Sequence, residues 1–401
     1  MSFFTKTPAV SSDETKIQEL LTRGVEDVFV KESLLQKLRS GKQLRVKLGI
    51  DPTGKTIHIG RATILWKLRA FQELGHKIVL IVGDFTAQIG DASDKLEKRP
   101  MLSTEAVKEN LKNYKKIIGK VIDVEQAEFV YNSSWLSKLG FAEIAKLADI
   151  FTIQQMTERR NFKDRMDKEE PISFREFLYP LMQGYDSVAV KADIEIGGFD
   201  QLFNLKAGRV IQKHYGQQEQ DIFTGQMLEG TDGRKMSTSW GNVINITDEP
   251  GDMFGKVMSV RDELIGKYFL LATKVSVLEI QRIEEEMKGG GNPRDSKIRL
   301  AKEIVTLYHG AEVALKAAEN FESTFSKGEP QEFVSVSLSG REVADALIAE
   351  KIVSSKTDLR RLIGEGAVTN LDTKSKMGED FLKSGPAGKY RLGKHRFIEI
   401  K

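Results

Sequence analysis

Val46-Lys-Leu-Gly49-Ile50-Asp51-Pro-Thr53-Gly-Lys-Thr-Ile-His58-Ile-Gly60-Arg61 decides the architecture of this chain of 401 residues. Val46–Ile50 is short and apolar, which predicts a strand, and Asp51–Lys55 is a loop of turn formers. After Gly60, the apolar residues Ile64, Leu65, Leu68 and Phe71 recur at helical spacing. Gly75 stands where glycine commonly ends a helix. Ile78–Val82 then runs continuously apolar, the mark of a strand covered on both faces. Strand, loop, helix and strand in this order make one unit of a parallel α/β sheet. The pattern returns in Ala127–Tyr131 and Ile194–Ile196 as strands and Gln201–His214 as a helix. Ligands of such sheets bind at the carboxyl ends of the strands. That places 49–60, 83–91 and 197–201 around one cleft.

Near Pro250 the character changes. Met253–Ser326 has a helical period, interrupted at Gly289-Gly290-Gly291. The segment Ser326-Lys-Gly-Glu-Pro330 resembles a linker, and Arg341–Lys401 mixes two short helical patterns with small strands. Four parts are expected: an α/β parallel-sheet domain over 1–247, an α-helical domain over 248–326, a linker over 327–340 and a small α+β module over 341–401. The last part carries 13 Lys and Arg against 9 Asp and Glu, an excess that suits phosphate contacts and equally an ordinary solvated surface.

Composition narrows the function. With no cysteine, disulfides and thiolate metal sites are excluded, and the five histidines include no pair at zinc-ligand spacing, so no metal ligand set is expected. The N-terminal stretch does not read as a signal peptide. No apolar run approaches the ~20 residues that span a bilayer, so the chain is expected to be cytoplasmic and off the membrane.

Two loops carry the chemistry. A loop leading from a strand into a helix aims backbone N–H groups and the positive end of the helix dipole at an anion. In the first loop Thr53 and His58 add donors, and Gly60 lets a base or ribose come close. The spacing is not that of a Walker motif. The second loop, Asp232-Gly-Arg-Lys235-Met-Ser-Thr238-Ser239, offers a lysine on a polar segment able to swing over a polyphosphate. Each alone is weak, since a histidine in such a loop is more often structural.

The two together, in this order, resemble the paired signatures of class I aminoacyl-tRNA synthetases. The match continues through Gly83-Asp-Phe-Thr86-Ala-Gln-Ile-Gly-Asp91, Tyr179-Pro-Leu-Met-Gln183-Gly-Tyr-Asp186 and Gly197-Gly-Phe-Asp200-Gln201, which look like the pattern of the bacterial tyrosyl-tRNA synthetases. The tail around Ser355–Val368 is similar to the S-four-type RNA-binding module that ends those proteins. Lys47 resembles a subgroup that lacks a tyrosine there. The resemblance implies a Rossmann-like catalytic domain, an anticodon-binding role for the helical domain and RNA contacts by Lys356, Arg360 and Arg361. It further implies a homodimer formed through the region near Ile150–Arg160. The implied partners are L-tyrosine, ATP with Mg2+ on its phosphates, and tRNA(Tyr).

For the amino acid, the resemblance implies that Asp91, Tyr179 and Gln183 hold the ammonium group with Gln201 beside it, and that Asp186 meets the phenol. The chemistry agrees, because an ammonium needs acceptors, and a buried acceptor is left unpaired by a phenyl ring. Positions 179, 183 and 186 also share one face of a helix, a pattern that a scattered polar face could give. For the nucleotide, the resemblance implies ATP binding by Gly49, Asp51 and Gly60, with Asp200 against the ribose. Thr53, His58 and Lys235 would meet the leaving pyrophosphate. Lys95 and Arg99 look like the family's mobile phosphate-binding pair, or else a solvated charge cluster. Two positions depart from the family pattern: Arg61 stands for a second histidine and Thr238 for a second lysine. They leave open a slower enzyme or an altered ion dependence. Rival readings are a tryptophanyl-type synthetase, an adenylate-forming nucleotidyltransferase without tRNA, and a non-catalytic RNA-binding protein on this scaffold.

Overall fold

Six strands build the principal sheet: β1 (Val25–Phe29), β2 (Arg45–Ile50), β3 (Lys77–Val82), β4 (Glu128–Tyr131), β5 (Ile194–Gly198) and β6 (Asp221–Gly225). In the computed structural model they lie in the order β1-β6-β5-β2-β3-β4. The described residues are 10–52, 54–91, 102–326, 333–350, 352–393 and 396–401. β2 pairs in parallel with β3 and β5, β3 with β4, and β5 with β6, while β1 closes one edge in antiparallel. The strands anticipated from apolar runs are all in this sheet. β1 is an addition: Glu26 and Asp27 are exposed and break its apolar run, as befits a short charged edge strand. β6 is fully buried, but only Ile222 and Phe223 in it are strongly apolar.

Three helices position the cleft. α1 (Ile59–Glu73) is capped by His58, whose ring nitrogen accepts from the Arg61 N–H, and it ends before Gly75 at φ +88°. α2 (Phe174–Val190) begins with the Glu176 carboxylate accepting from the Ser173 N–H at 3.1 Å. Glu176 is itself buried against Arg165, 2.6 Å away. α3 (Leu202–His214) follows a single turn of 3-10 helix at Phe199–Gln201.

The chain divides into two compact units. The first holds the described residues of Met1–Gly230 with Arg234–Thr247 and Leu270–Ala272, and therefore the whole principal sheet. The second contains the helices α4 (Pro250–Met258), α5 (Val277–Lys288), α6 (Pro293–His309) and α7 (Ala311–Ser326). The helical reading of this stretch and the break at Gly289–Gly291 both hold, with Gly290 at φ +94°. The unit ends in a second sheet of β7 (Val334–Val336), β8 (Val368–Asn370), β9 (Gly388–Leu392) and β10 (Arg396–Ile400), in the order β7-β10-β9-β8. Beside it are α8 (Val343–Ala349) and α9 (Lys356–Gly364). Val336, Leu347, Leu359, Val368, Tyr390 and Ile398 belong to one core there. β7 lies inside the stretch expected to be a linker and pairs in parallel with β10. Three residues are too few for an alternating pattern to register, and the partner strand is at the far end of the module. Among the described residues no helix is long and apolar enough to cross a membrane.

One close approach matters for the cleft. A Cβ on Gly83 would collide with the Asp51 carboxylate and the Thr86 hydroxyl. Gly83→Ala is therefore expected to force these side chains apart and cost about 1–3 kcal/mol of stability, the usual range for overpacking. A fall in the urea midpoint of that size checks it, and an unchanged midpoint would show that the loop yields freely.

Candidate active site

The strand order reverses direction at β2: the chain moves outward through β3 and β4, then returns to place β5 on the other side of β2. Such a switch point opens a crevice beyond the strands' carboxyl ends. Asp51 stands there, directly after β2. Its Oδ1 accepts from Thr86 Oγ1 at 2.7 Å and its Oδ2 from Tyr179 Oη at 2.8 Å. Asn132 Nδ2 donates to Thr86 Oγ1 at 3.0 Å and to Asp186 Oδ2 at 3.3 Å. Trp135 Nε1 donates to Asp186 Oδ1 at 2.7 Å. A continuous chain of hydrogen bonds thus runs from Tyr179 through Asp51, Thr86 and Asn132 to Asp186. Burial raises the Tyr179 phenol well above its usual range, and the nearby Asp51 and Asp91 charges add to this, so it remains a donor at neutral pH.

Asp186 is pushed up to about 7, chiefly by burial. Lys47 pulls it down, as do the hydrogen bonds from Trp135 and Asn132, while Glu195 works with burial. Its carboxylate can therefore switch between acceptor and donor near neutrality. Asp91, the other expected pocket acid, receives Gln201 Nε2 at 2.8 Å, and Gln201 Oε1 in turn receives Asn204 Nδ2 at 3.0 Å. Arg159 lies 3.6 Å from Asp91 Oδ1, buried against the rings of Phe162 and Phe203. Gln183, on the same helix as Tyr179 and Asp186, donates through Nε2 to Glu195 Oε1 at 3.2 Å.

The two signature loops are stitched together. Ile59 N–H donates to the Ile244 carbonyl at 2.8 Å and Ile246 N–H to the Ile57 carbonyl at 3.0 Å. Segments nearly two hundred residues apart so form one rim. Burial, with the charges of Arg61 and Lys235, lowers His58 to about 4. Because His58 Nδ1 accepts from the Arg61 N–H at 3.3 Å, the neutral ring carries its proton on Nε2. His58 is thus a neutral donor. Lys235 Nζ lies 3.4 Å from Asp200 Oδ2, both half-exposed. Asn242 steadies the lysine loop, its Nδ2 donating to the Lys235 carbonyl at 3.1 Å and its Oδ1 accepting from Ser237 N–H at 2.8 Å. The Arg234 guanidinium stacks on the exposed Trp240 ring at 4.8 Å. Space in front of Gly49 is open. Arg61 and Thr238 are both exposed.

Asp51, Asp91, Tyr179, Asp186 and Gln201 therefore stand in bonded groups at the carboxyl ends of the strands, with Gln183 beside them. The expectation that Asp51 faces a nucleotide meets a carboxylate already accepting from Thr86 and Tyr179. Thr53, Lys95 and Arg99 lie outside the described residues. Sequence reasoning missed Asn132, Trp135, Arg159, Glu195 and Asn204. Asn132 directly follows β4, the place where a strand delivers side chains to the cleft, and that position was the available signal. Arg159 fell in a segment assigned to a subunit interface. No metal cluster of three or more His, Asp or Glu side chains occurs among the described residues.

A sheet with this switch point, a histidine-capped first loop and a lysine loop joined to it matches a known family. The model for class I tRNA synthetases (W and Y) covers residues 39–326. The chain belongs to this family. It is 46% identical to the "Tyrosine--tRNA ligase" of Carboxydothermus hydrogenoformans, over 97% of this chain and 98% of that protein. It is also 46% identical to the protein of the same name from Thermotoga maritima, over 87% of this chain and 88% of that one. Among solved structures, a C-terminally truncated Aspergillus nidulans mitochondrial tyrosyl-tRNA synthetase superposes with a TM-score of 0.64 at 22% identity, covering 77% of this chain and 94% of that chain, a likeness of fold.

Asp186 has a consequence for stability. Its carboxyl holds a proton up to about 7 in the folded chain but only to about 3.8 when unfolded. Between these values the folded state binds more protons, so this group's contribution is present at low pH and is lost as pH rises towards 7. His58 and His76, both lowered to about 4, act with the opposite sign between 4 and 6.5. The comparison must therefore be a difference. Wild type minus Asp186→Asn is expected to lose stability by up to about 1.4 kcal/mol per pH unit across that window. Urea denaturation at several pH values reads it, and parallel curves for the two proteins would refute it.

Proposed function

We propose that this cleft activates L-tyrosine with ATP and passes the tyrosyl group to the 3′ end of tRNA(Tyr). The observation that carries the reading is Asp186, a buried carboxylate aligned by Asn132 and Trp135 at the end of the hydrogen-bond chain. A phenol hydroxyl can donate to it, whereas a phenyl ring would leave it unpaired. Asp91, Gln183 and Tyr179 receive the ammonium group, with Gln201 holding Asp91 in place. The names of the relatives, each a tyrosine--tRNA ligase, support the same substrate.

In the first step a substrate carboxylate oxygen attacks the α-phosphorus, and the bond to the β-phosphate bridging oxygen breaks. No general base is required, because a carboxylate is ionised at neutral pH. The charge that develops on pyrophosphate is met by donors, so positioning and electrostatics supply the catalysis. His58 offers Nε2–H and Lys235 its ammonium, released from Asp200 as that carboxylate turns to the ribose. Thr53, Lys95 and Arg99 belong to the same phosphate region in this reading, and Gly49 and Gly60 leave room for the adenosine. Arg61 sits beside His58 on the first turn of α1. Magnesium would accompany the ATP and offset the charge of its phosphates. In the second step a ribose hydroxyl of the tRNA attacks the acyl carbon and AMP leaves.

The assignment of residues up to 247 to catalysis and of 248–326 to the anticodon rests on the family resemblance. So does RNA binding by the C-terminal module, here taken to begin with β7. Lys356 pairs with Glu342 and Asp345 at 2.9 Å, and Arg361 with Asp358 and Glu365 at 2.9 Å. Such exposed pairs are worth at most about 1 kcal/mol and can be exchanged for phosphate contacts. Arg360 makes no ion pair among the described residues. A homodimer is supported by the exposed apolar side chains of Phe141, Ile153, Met166 and Phe174 around the segment expected to form the interface.

Pyrophosphate exchange into ATP, run with each amino acid in turn, tests the reading. Tyrosine alone should support exchange; tryptophan-dependent exchange, or none, would overturn it. Asp186→Ala should narrow the preference for tyrosine over phenylalanine by about ten- to a hundredfold, the worth of a hydrogen bond to a charged group. A chain ending at Gln331 removes the second sheet whole. It should keep tyrosine-dependent exchange yet lose most tRNA charging, with a flatter salt dependence of residual tRNA binding. Full charging by the shortened chain would remove the tail from RNA recognition.

A further inference from the structure

Directly beneath the amino-acid pocket lies an ion pair that takes no part in the mechanism above. Lys47, on β2, is fully buried, and Glu195, on β5, is 1% exposed. Their charged atoms are 2.9 Å apart. The Lys47 ammonium has three protons and three acceptors: Glu195 Oε1, the Gln183 carbonyl at 3.0 Å and Ser187 Oγ at 2.8 Å. Glu195 is filled as completely. Its Oε1 accepts from Lys47 and from Gln183 Nε2, and its Oε2 from Ser187 Oγ and Gln220 Nε2. Gly208, on α3, makes the space, since a Cβ there would stand 2.6 Å from Gln220 Nε2, 2.9 Å from Ser187 Oγ and 3.1 Å from Glu195 Oε2. A buried pair of this kind is costly to desolvate, and an apolar pair of similar volume is often as stable. Stability alone is a weak account of it.

The network grips one residue of the pocket twice. Lys47 holds the Gln183 backbone and Glu195 holds its side chain. A glutamine amide can present either its oxygen or its NH2 group to a ligand, and only the oxygen accepts. A carboxylate accepts and does not donate, so Glu195 draws Nε2 towards itself and turns Oε1 the opposite way. Among the described residues nothing donates to that oxygen. We infer that the Lys47–Glu195 pair is a positioning device for substrate recognition, which locks the Gln183 amide with its oxygen towards the ammonium group of the amino acid. This rests on the reading of Gln183 as an ammonium ligand. Lys47 and Glu195 touch no substrate; they act through Gln183.

The test uses two competitive inhibitors of tyrosine-dependent pyrophosphate exchange, L-tyrosinol and 3-(4-hydroxyphenyl)propan-1-ol, which differ only in the ammonium group. The ratio of their inhibition constants measures what that group contributes. In Lys47→Met with Glu195→Leu the charges leave together and the volume stays filled. The preference for tyrosinol should fall about tenfold, with the amine-free ligand within about twofold of its wild-type constant. A wild-type ratio in this variant, once thermal melting shows it folded, overturns the inference. If it does not fold, Lys47→Met with Glu195→Gln takes its place. The amide introduced there can offer Gln183 either face, so the preference should still drop by about threefold or more, and an unchanged ratio overturns the inference equally. Gln183→Ala separates the two readings. If it leaves the ratio intact, Gln183 is no ammonium ligand; if it lowers the ratio while the folded double variant does not, the lock alone fails.

Discussion

Asp51 is the constraint on which the cleft depends. It is the first residue beyond β2, the strand at which the sheet reverses its direction of growth. By accepting from Thr86 and from Tyr179 it ties the end of the central strand to the loop after β3 and to α2. Three elements that converge from different parts of the chain are fixed relative to one another by two short hydrogen bonds to one carboxylate. Gly83 must lack a side chain for that carboxylate to fit, so backbone and side-chain requirements coincide at one point. Everything further along the hydrogen-bond chain, including the orientation of Asp186, inherits its precision from this junction.

Below that junction the interior is polar where an ordinary core would be apolar. Lys47 and Glu195 occupy facing positions on neighbouring central strands, and their bonding capacity is filled by α2 and by Gln220, which immediately precedes β6. Loss of one partner would leave an uncompensated buried charge, typically costing about 3–5 kcal/mol, whereas joint replacement can be nearly neutral. The pocket thus has two layers. Asp51, Asp91 and Asp186 face the cleft, and the saturated pair behind them fixes the helix that carries Tyr179, Gln183 and Asp186.

Much of this was legible in the sequence, and the boundary has a physical cause. Ile78–Val82 declared itself because a strand covered on both faces is apolar throughout, Val46–Ile50 because a short, mainly apolar run leads straight into a loop of turn formers, and Gly75 because a left-handed backbone favours glycine. The cleft followed from topology, and the residues proposed to hold the amino acid, Asp91, Tyr179, Gln183, Asp186 and Gln201, from the family resemblance. Partners were not legible. Asn132 is one asparagine after one strand, and nothing local says that it joins Thr86 to Asp186. Arg159 falls in the segment expected to form a subunit interface, but lies buried against two phenylalanine rings beside Asp91. Lys47 stands out in the sequence only as the mark of a subgroup that lacks a tyrosine there, since its worth depends on Glu195, nearly 150 residues away. β7 escaped for the same reason: its strand character comes from β10. Periodicity reports the environment of a segment, whereas pairing between distant segments leaves no local trace.

The three tryptophans give the molecule built-in optical probes. Trp240 is exposed under the Arg234 guanidinium, five residues from Lys235, so any swing of the lysine loop that breaks the stack changes the surroundings of its indole. Trp135 bonds directly to Asp186, so protonation of that acid is felt by a second indole. The third, Trp66, lies within α1. Intrinsic fluorescence can therefore follow the lysine loop and the surroundings of Asp186 separately, without a label, once Trp240 and Trp135 are each replaced by phenylalanine in turn; in the proposed function these are the nucleotide and amino-acid sides.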